Sequence, residues 1–193
     1  MIESRQIVSF HDGLSAARAS EVWRAIEDNH RLNGLIWKEE DLARRREVPD
    51  AEIAANKRAI DRHNQQRNDA IERIDEILLS SLAGVVSGEN SRLHSETPGS
   101  MIDRLSILSL KIHHMRLQTE RTDVDPAHLE SCRAKLSRLR EQRDDLAACL
   151  DQLLAEAGRG EARFKVYRQF KMYNDPALNP ALYGEKRGEP RRS

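Results

Sequence analysis

The most constraining feature of this sequence is a helical pattern whose core positions turn polar halfway along. Residues 53–78 place every third or fourth residue on one helix face, which begins and ends with apolar side chains. That face reads Ile53, Lys57, Ile60, Asn64, Arg67, Ile71, Ile74 and Leu78. Residues 23–44 repeat the pattern with Trp23, Ile26, His30, Asn33, Trp37, Glu40 or Asp41, and Arg44. Because an unpaired buried charge or amide costs several kcal/mol, we expect these groups to meet one another, water or a ligand inside a helical bundle.

Composition favours a helical protein and excludes two classes. Of the 193 residues, 33% are charged and only 4% are aromatic. Lys+Arg and Asp+Glu balance at 32 each, which argues against a nucleic-acid binder with a broad basic face. No apolar run approaches the ~20 residues that span a bilayer. Residues 1–10 lack the apolar core of a secretion signal, so a cytoplasmic location is expected.

Capping residues and prolines predict four long helices. A loop rich in glycine and serine over residues 84–99 separates the second helix from the third. The predicted helices span residues 15–46, 50–83, 98–119 and 126–158. The core face of the fourth helix is almost entirely apolar, as in an ordinary bundle. That contrast makes the polar faces of the first two helices notable. Cys132 and Cys149 fit two buried, reduced thiols of a cytosolic protein.

Five of the eight aromatic residues lie in the C-terminal segment 164–183. The spacing of Phe164, Tyr167 and Phe170 predicts a short helix, followed by an extended strap that buries Tyr167, Phe170 and Tyr173 against the bundle. The predicted fold class is therefore all-α, an antiparallel bundle of four main helices with a short C-terminal helix and an aromatic strap. It forms one domain over residues 1–183, with an N-terminal lead at 1–14, the strap at 161–183 and a disordered tail at 184–193.

Several stretches together carry a family resemblance. They are Trp37-x-x-Glu40-Asp41-x-Ala43-Arg44, Lys57-Arg58-Ala59-Ile60-Asp61-x-x-Asn64-Gln65-x-Arg67-Asn68-Asp69, Ser95-Glu96-Thr97-Pro98-Gly99-Ser100, Asp103-Arg104-Leu105-Ser106 and Tyr167-Arg168-Gln169-Phe170-Lys171. This combination resembles the bacterial family of unknown function DUF4254, over roughly residues 23–183. The resemblance implies no settled activity. It implies a sugar-related setting, since members occur near glycosyltransferase and envelope-polysaccharide genes.

A second polar stripe on the second predicted helix has two interpretations. It comprises Asp61, Asn64, Gln65, Asn68, Glu72 and Asp75. These oxygen ligands suit a hard cation such as Mg²⁺, with Glu72 and Asp75 as the metal candidates. Glu72-x-x-Asp75 also resembles half of the acidic motif of all-α metal-dependent nucleotide pyrophosphohydrolases, whose other half is missing here. The alternative is a solvated helix face paired with neighbouring arginines.

The remaining candidates combine acid–base groups with cations. The catalytic candidates are His30, Glu40, Asp41, Asp61, Asp103 and His114. The ligand-binding candidates are Arg44, Lys57, Asn64, Arg67, Asn68, Arg104, Lys111, Arg168 and Lys171. Arg67 either binds an anion or neutralises Glu40 or Asp41 across the helix interface. We expect eight of these residues to converge on one cavity: Glu40, Asp41, Arg44, Asp61, Asn64, Arg67, Asp103 and His114.

Two functional hypotheses follow from these patterns. The first is a cytoplasmic helical protein with an internal polar site, either a Mg-dependent enzyme or a binder of a small phosphorylated ligand such as a nucleotide or nucleotide-sugar. The alternative is a non-catalytic helical interaction protein, linked to envelope polysaccharide synthesis, in which buried amides fix the partner or the helix register. Both are compatible with a homo-oligomer.

Overall fold

The computed structural model describes residues 2–170 and 175–185. Within them the chain forms six helices and two very short strands. Their bounds are α1 (Ser4–His11), α2 (Glu21–Leu42), α3 (Asp50–Ser81), β1 (Arg92–Leu93), α4 (Pro98–Thr119), α5 (Pro126–Gly158), β2 (Ala162–Arg163) and α6 (Pro180–Glu185). The prediction of a largely helical protein is confirmed. No helix within the described ranges is long and apolar enough to cross a membrane.

The two C-terminal long helices begin at the predicted caps. At the start of α4, the Thr97 hydroxyl accepts a hydrogen bond from the Ser100 amide, while the Thr97 amide donates to the Ser100 hydroxyl. At the start of α5, the Asp125 carboxylate accepts from the His128 amide at 2.8 Å. Pro98 and Pro126 occupy the first helical positions, where a missing N–H costs nothing.

The helices pack in two extensive pairs, α2 with α3 and α4 with α5. Glu21 at the start of α2 pairs with Arg73 late in α3, whereas Glu40 late in α2 pairs with Lys57 early in α3. These two helices therefore run in opposite directions. Both of them contact α4, and α1 packs on α4 and α5. The apolar core lies between these contacts and includes the fully buried side chains Ile7, Ile26, Ile74, Ile102, Leu105 and Leu150.

Three predicted features are wrong. Residues 15–46 do not form one helix: α2 starts only at Glu21, and the expected lead folds as α1, whose Ile7 belongs to the core. Cys149 is exposed, although Cys132 is buried. Residues 164–170 are not helical, and Tyr167 and Phe170 remain 48% and 86% exposed.

The C-terminal segment instead attaches through β2 and one aromatic side chain. β2 pairs in parallel with β1, with Arg92 opposite Ala162, and Phe164 is buried directly after it. Beyond this point the contacts with α3 are polar, since Arg168 pairs with Glu72 and Glu76. The predicted burial of Tyr173, the placement of Lys171 and the tail beyond residue 185 lie outside the described residues.

Candidate functional site

The polar faces of α2 and α4 meet in a buried hydrogen-bond network, defined here as Asn29, Asn33, Asp103 and Ser106. Asp103 Oδ1 accepts from the side-chain amides of Asn29 and Asn33, each at 2.9 Å. The Asn33 amide also lies 3.0 Å from Ser106 Oγ. All four side chains are buried, and each finds partners within the group. This part of the interior polar site is therefore satisfied by the protein itself.

Arg67 meets a different carboxylate from the predicted one. Its Nε lies 3.8 Å from Asp103 Oδ1, too far for a hydrogen bond, and has no other partner among the described residues. Glu40, one of the two expected partners, instead contacts Arg44 at 2.7 Å and Lys57 at 3.6 Å near the surface. The sequence pattern does not indicate Asp103, on α4, as the partner because it does not show which helix faces Arg67.

The eight residues expected to converge do not share one cavity. Only Asp103 is buried, while Asp41, Arg44 and Asp61 are exposed and the other four are partly buried. The core spacing overestimated burial because a helical period defines one face of a helix and not how much of that face a neighbouring helix covers. Asn64 and Asn68 lie partly buried on α3. Arg104 is exposed and pairs with Glu96 at 2.5 Å.

His30 extends the buried network towards α1. Its Nδ1 lies 2.8 Å from Ser106 Oγ, and its ring stacks on His11 with centroids 4.5 Å apart. Burial lowers the pKa of His30, an effect that the nearby Asp12 carboxylate opposes. His30 thus joins the interior network to the His11 side of the molecule.

The two metal candidates on α3 already have protein partners. Glu72 accepts from Arg168 at 3.1 Å and from the Gln169 amide at 2.8 Å. Asp75 accepts from the Gly99 amide at 2.6 Å, at the N-terminus of α4. Burial raises the pKa of Asp75 to about 6. In the part of the chain that the structure describes, no group of three or more His, Cys, Asp or Glu residues is placed to hold a metal ion.

Three sequence-predicted candidates do share an open cavity, named here the Trp37 cleft. It lies between α2, α4 and α5 and has a volume of about 560 Å³. The predicted residues that line it are Asp41, Lys111 and His114. Trp37 forms one wall, and its ring stacks flat against His114 at 4.4 Å and 5°. Cavities of this size with apolar walls and a few polar groups are typical of small-ligand sites.

The Trp37 cleft carries an excess of positive charge. Among the residues that the structure describes, Lys111, Lys135 and Arg138 line it, against the single carboxylate of Asp41. None of the three cations makes a hydrogen bond or ion pair within residues 2–170 and 175–185. Burial lowers the pKa of His114, as does the neighbouring His113, while Asp41 raises it. A neutral imidazole and three cations without a partner in the described part of the chain can receive a ligand with a flat face and negative charge.

A second polar cavity, which the sequence interpretation missed, lies on the opposite side of α4 from Trp37. His11, Ser109, His113, Arg116, Arg140 and Arg143 line it, with a volume of about 420 Å³. One signal was available, because Arg143 interrupts the otherwise apolar face of the fourth helix. His11 offered none, since the N-terminal lead was not predicted to pack on the bundle.

Comparison with known proteins gives one match. The family model described as Protein of unknown function (DUF4254) matches residues 23–166. No curated protein and no solved structure matches the chain.

Proposed function

We propose that this chain, which belongs to the DUF4254 family, is a cytoplasmic protein that binds a phosphorylated ligand with a planar group in the Trp37 cleft. A nucleotide or nucleotide-sugar has this chemistry. The observation that carries the proposal is the presence, beside an aromatic wall in one cavity of about 560 Å³, of three cations that have no partner among the described residues. The framework of the cleft, in this proposal, is an antiparallel bundle of α2 to α5.

The two halves of such a ligand would use different parts of the cleft. A base or other flat group gains from contact with Trp37, whose stacked partner His114 holds the ring in place. The phosphates would lie towards Lys111, Lys135 and Arg138, where charge-assisted hydrogen bonds are about twice as strong as neutral ones. Lys111 also lines a neighbouring groove of about 610 Å³ with Arg104, so a sugar beyond the phosphates has room.

Magnesium enters this proposal with the ligand. The carboxylates of Glu72 and Asp75 are hydrogen-bonded to the protein, and Asp41 is the one carboxylate of the described residues that lines the Trp37 cleft. A Mg²⁺ ion would therefore be held chiefly by the phosphates of the nucleotide, as Mg²⁺ commonly is in such sites. We expect Mg²⁺ to tighten binding without being required for it.

The buried network supports the second candidate function, a helical interaction protein without catalysis. Asn29, Asn33, Asp103 and Ser106 satisfy one another in the interior, which is how polar groups fix one helix register over another. This role explains the interior polar site without a ligand. It does not account for the unpaired cations of the Trp37 cleft, and we therefore place it second.

Binding measurements on the full chain test the proposal. Uridine diphosphate, with and without Mg²⁺, should raise the melting temperature in a saturable way, and calorimetry should give a dissociation constant. Arg138→Gln removes one cation from the cleft and should weaken binding by about tenfold, the effect of one lost charge-assisted bond. Arg133→Gln is the matched control, because Arg133 is an exposed residue of α5 that does not line the cleft.

Two results would contradict a nucleotide site in this cleft. One is the absence of a saturable response to nucleotides and sugar phosphates. The other is equal binding by wild type, Arg138→Gln and Arg133→Gln. Product analysis of the same mixtures separates an enzyme from a binder: release of phosphate that His114→Gln abolishes, while binding persists, would identify His114 as catalytic.

A further inference from the structure

The buried imidazole of His11 is the starting point for a second site. His11 ends α1 and is only 6% exposed, yet neither of its ring nitrogens has a hydrogen-bond partner among the described residues. Buried polar groups normally find partners, because leaving one unsatisfied is costly. One ring face is covered by His30. The ring also lines the cavity of about 420 Å³ between α1, α4 and α5.

The same cavity is lined by three arginine side chains. Arg116, Arg140 and Arg143 line it, together with His113, and among the described residues Asp12 is the one carboxylate that lines it. Arg140 makes no hydrogen bond or ion pair with any residue that the structure describes. Arg116 has a weak, exposed contact with Glu120 at 3.8 Å. The cavity therefore holds more positive charge than its own carboxylate neutralises.

Arg143 is fixed in position at this cavity. Its Nη1 donates to both carboxylate oxygens of Asp12 at 2.8 Å, and its side chain is 13% exposed. Its Nε, like the nitrogens of His11, is buried without a partner in the described part of the chain. A guanidinium held in this way is ready to contact an oxyanion without losing further side-chain entropy.

We propose that this cavity, named here the His11 site, binds a phosphoryl dianion, either inorganic phosphate or the phosphate of a small phosphomonoester. Arg140 and Arg143 supply the charge, and the His11 imidazole donates a hydrogen bond to one phosphate oxygen. Burial, His30 and Arg143 lower the pKa of His11 well below 6.5. The ring is then neutral at pH 7 and carries one N–H donor, which the phosphate oxygen satisfies.

The His11 site is independent of the Trp37 cleft. The two cavities share no lining residue among those described, and they use different positions on α4 and α5. Failure of one proposal therefore leaves the other untouched. The cationic residues Arg133, Arg138 and Arg140 are all exposed on α5, so matched variants can separate the sites without disturbing the core.

Titration of the full chain with inorganic phosphate, and separately with glycerol 3-phosphate, at constant ionic strength tests the His11 site. The wild-type chain should bind at least one of the two probes saturably. Arg140→Gln should weaken that binding by about tenfold. Arg133→Gln, which removes the same charge at a position of α5 outside both cavities, should leave it unchanged. Weakening by Arg138→Gln and not by Arg140→Gln would place the bound phosphate in the Trp37 cleft and would overturn the His11 site.

His11→Phe supplies the second readout. Phenylalanine keeps a ring against His30 and removes the two unsatisfied nitrogens, so the apo melting temperature should not fall. The phosphate response of this variant should nevertheless be lost. A wild-type chain that binds neither probe, or equal weakening by all three arginine variants, would overturn the proposal, since the latter indicates general charge screening.

Discussion

Asp75 is a buried carboxylate that accepts a hydrogen bond at the start of α4. It is 2% exposed, and the Gly99 amide donates to it at 2.6 Å. Burial raises the pKa of Asp75 to about 6, above its ordinary value of 3.8, so the folded state binds the proton more tightly than the unfolded state. The stability that this tighter proton binding contributes is present below pH 4 and is lost as the pH rises through 6.

Asp75→Asn keeps an oxygen that accepts from the Gly99 amide and removes the dependence of stability on the protonation of residue 75. Relative to wild type, the variant should gain about 2 kcal/mol in unfolding free energy between pH 4.5 and pH 8, measured by urea denaturation.

Asp69→Asn is the control for that measurement, because Asp69 is an exposed carboxylate of the same helix. It should follow the wild-type pH profile. A profile for Asp75→Asn parallel to wild type over this range would show that the buried carboxylate is not the titrating group.

Single residues also show what a sequence pattern can and cannot predict about contacts. The polar faces predicted that Asn33, His30 and Arg67 would need partners, and His30 and Asn33 have them in the buried network. The pattern could not identify those partners, because a helical period defines a face and not the helix that packs on it. Asp103 and Ser106, which complete the network, lie about 70 residues further along the chain.

At the scale of the helix, Gly99 allows α3 to approach the start of α4. A Cβ at Gly99 would lie 2.5 Å from the Ile71 carbonyl oxygen and 2.9 Å from Asp75 Cγ. Gly99→Ala should therefore cost about 1–3 kcal/mol of unfolding free energy through overpacking, despite the better helix propensity of alanine.

Gly34 provides the opposite case on α2, because a Cβ there meets no heavy atom within 4 Å. Gly34→Ala should stabilise by about 0.5–1 kcal/mol. Chemical denaturation measures both values, and equal effects at the two positions would contradict a close approach at Gly99.

The starts of the helices are predicted accurately where a capping residue marks them in the sequence. The helices α4 and α5 begin where a capping side chain precedes proline, and both were predicted at their observed starts. The region before α2 lacks such a cap, since Ser20 makes no side-chain capping bond, and there the predicted start was six residues early. The strands β1 and β2 have two residues each, too few to show alternation, and their pairing depends on the tertiary fold.

At the scale of the whole molecule, the candidate cavities arise where three helices meet. The Trp37 cleft needs α2, α4 and α5, and the His11 site needs α1, α4 and α5. Sequence patterns named Lys111, His114 and Asp41 as single candidates. Lys135 and Arg138 resembled ordinary surface cations of an apolar-faced helix, and only the packing of α5 against α4 gives them a shared cavity.

The position where the C-terminal segment leaves the core is also a property of the whole fold. Phe164 is 3% exposed and packs in the main core beside β2, whereas Phe170, six residues later, is 86% exposed. Phe164→Ala should therefore cost about 3–5 kcal/mol of unfolding free energy, the usual effect of emptying a buried aromatic position. Phe170→Ala, the same chemical change outside the core, should alter stability by less than about 0.5 kcal/mol. Urea denaturation of the two variants beside wild type measures both effects. Comparable losses of unfolding free energy in the two variants would mean that Phe170 also packs against the folded chain, as the aromatic spacing predicts. A loss confined to Phe164→Ala would show that the apolar attachment of this segment ends immediately after β2.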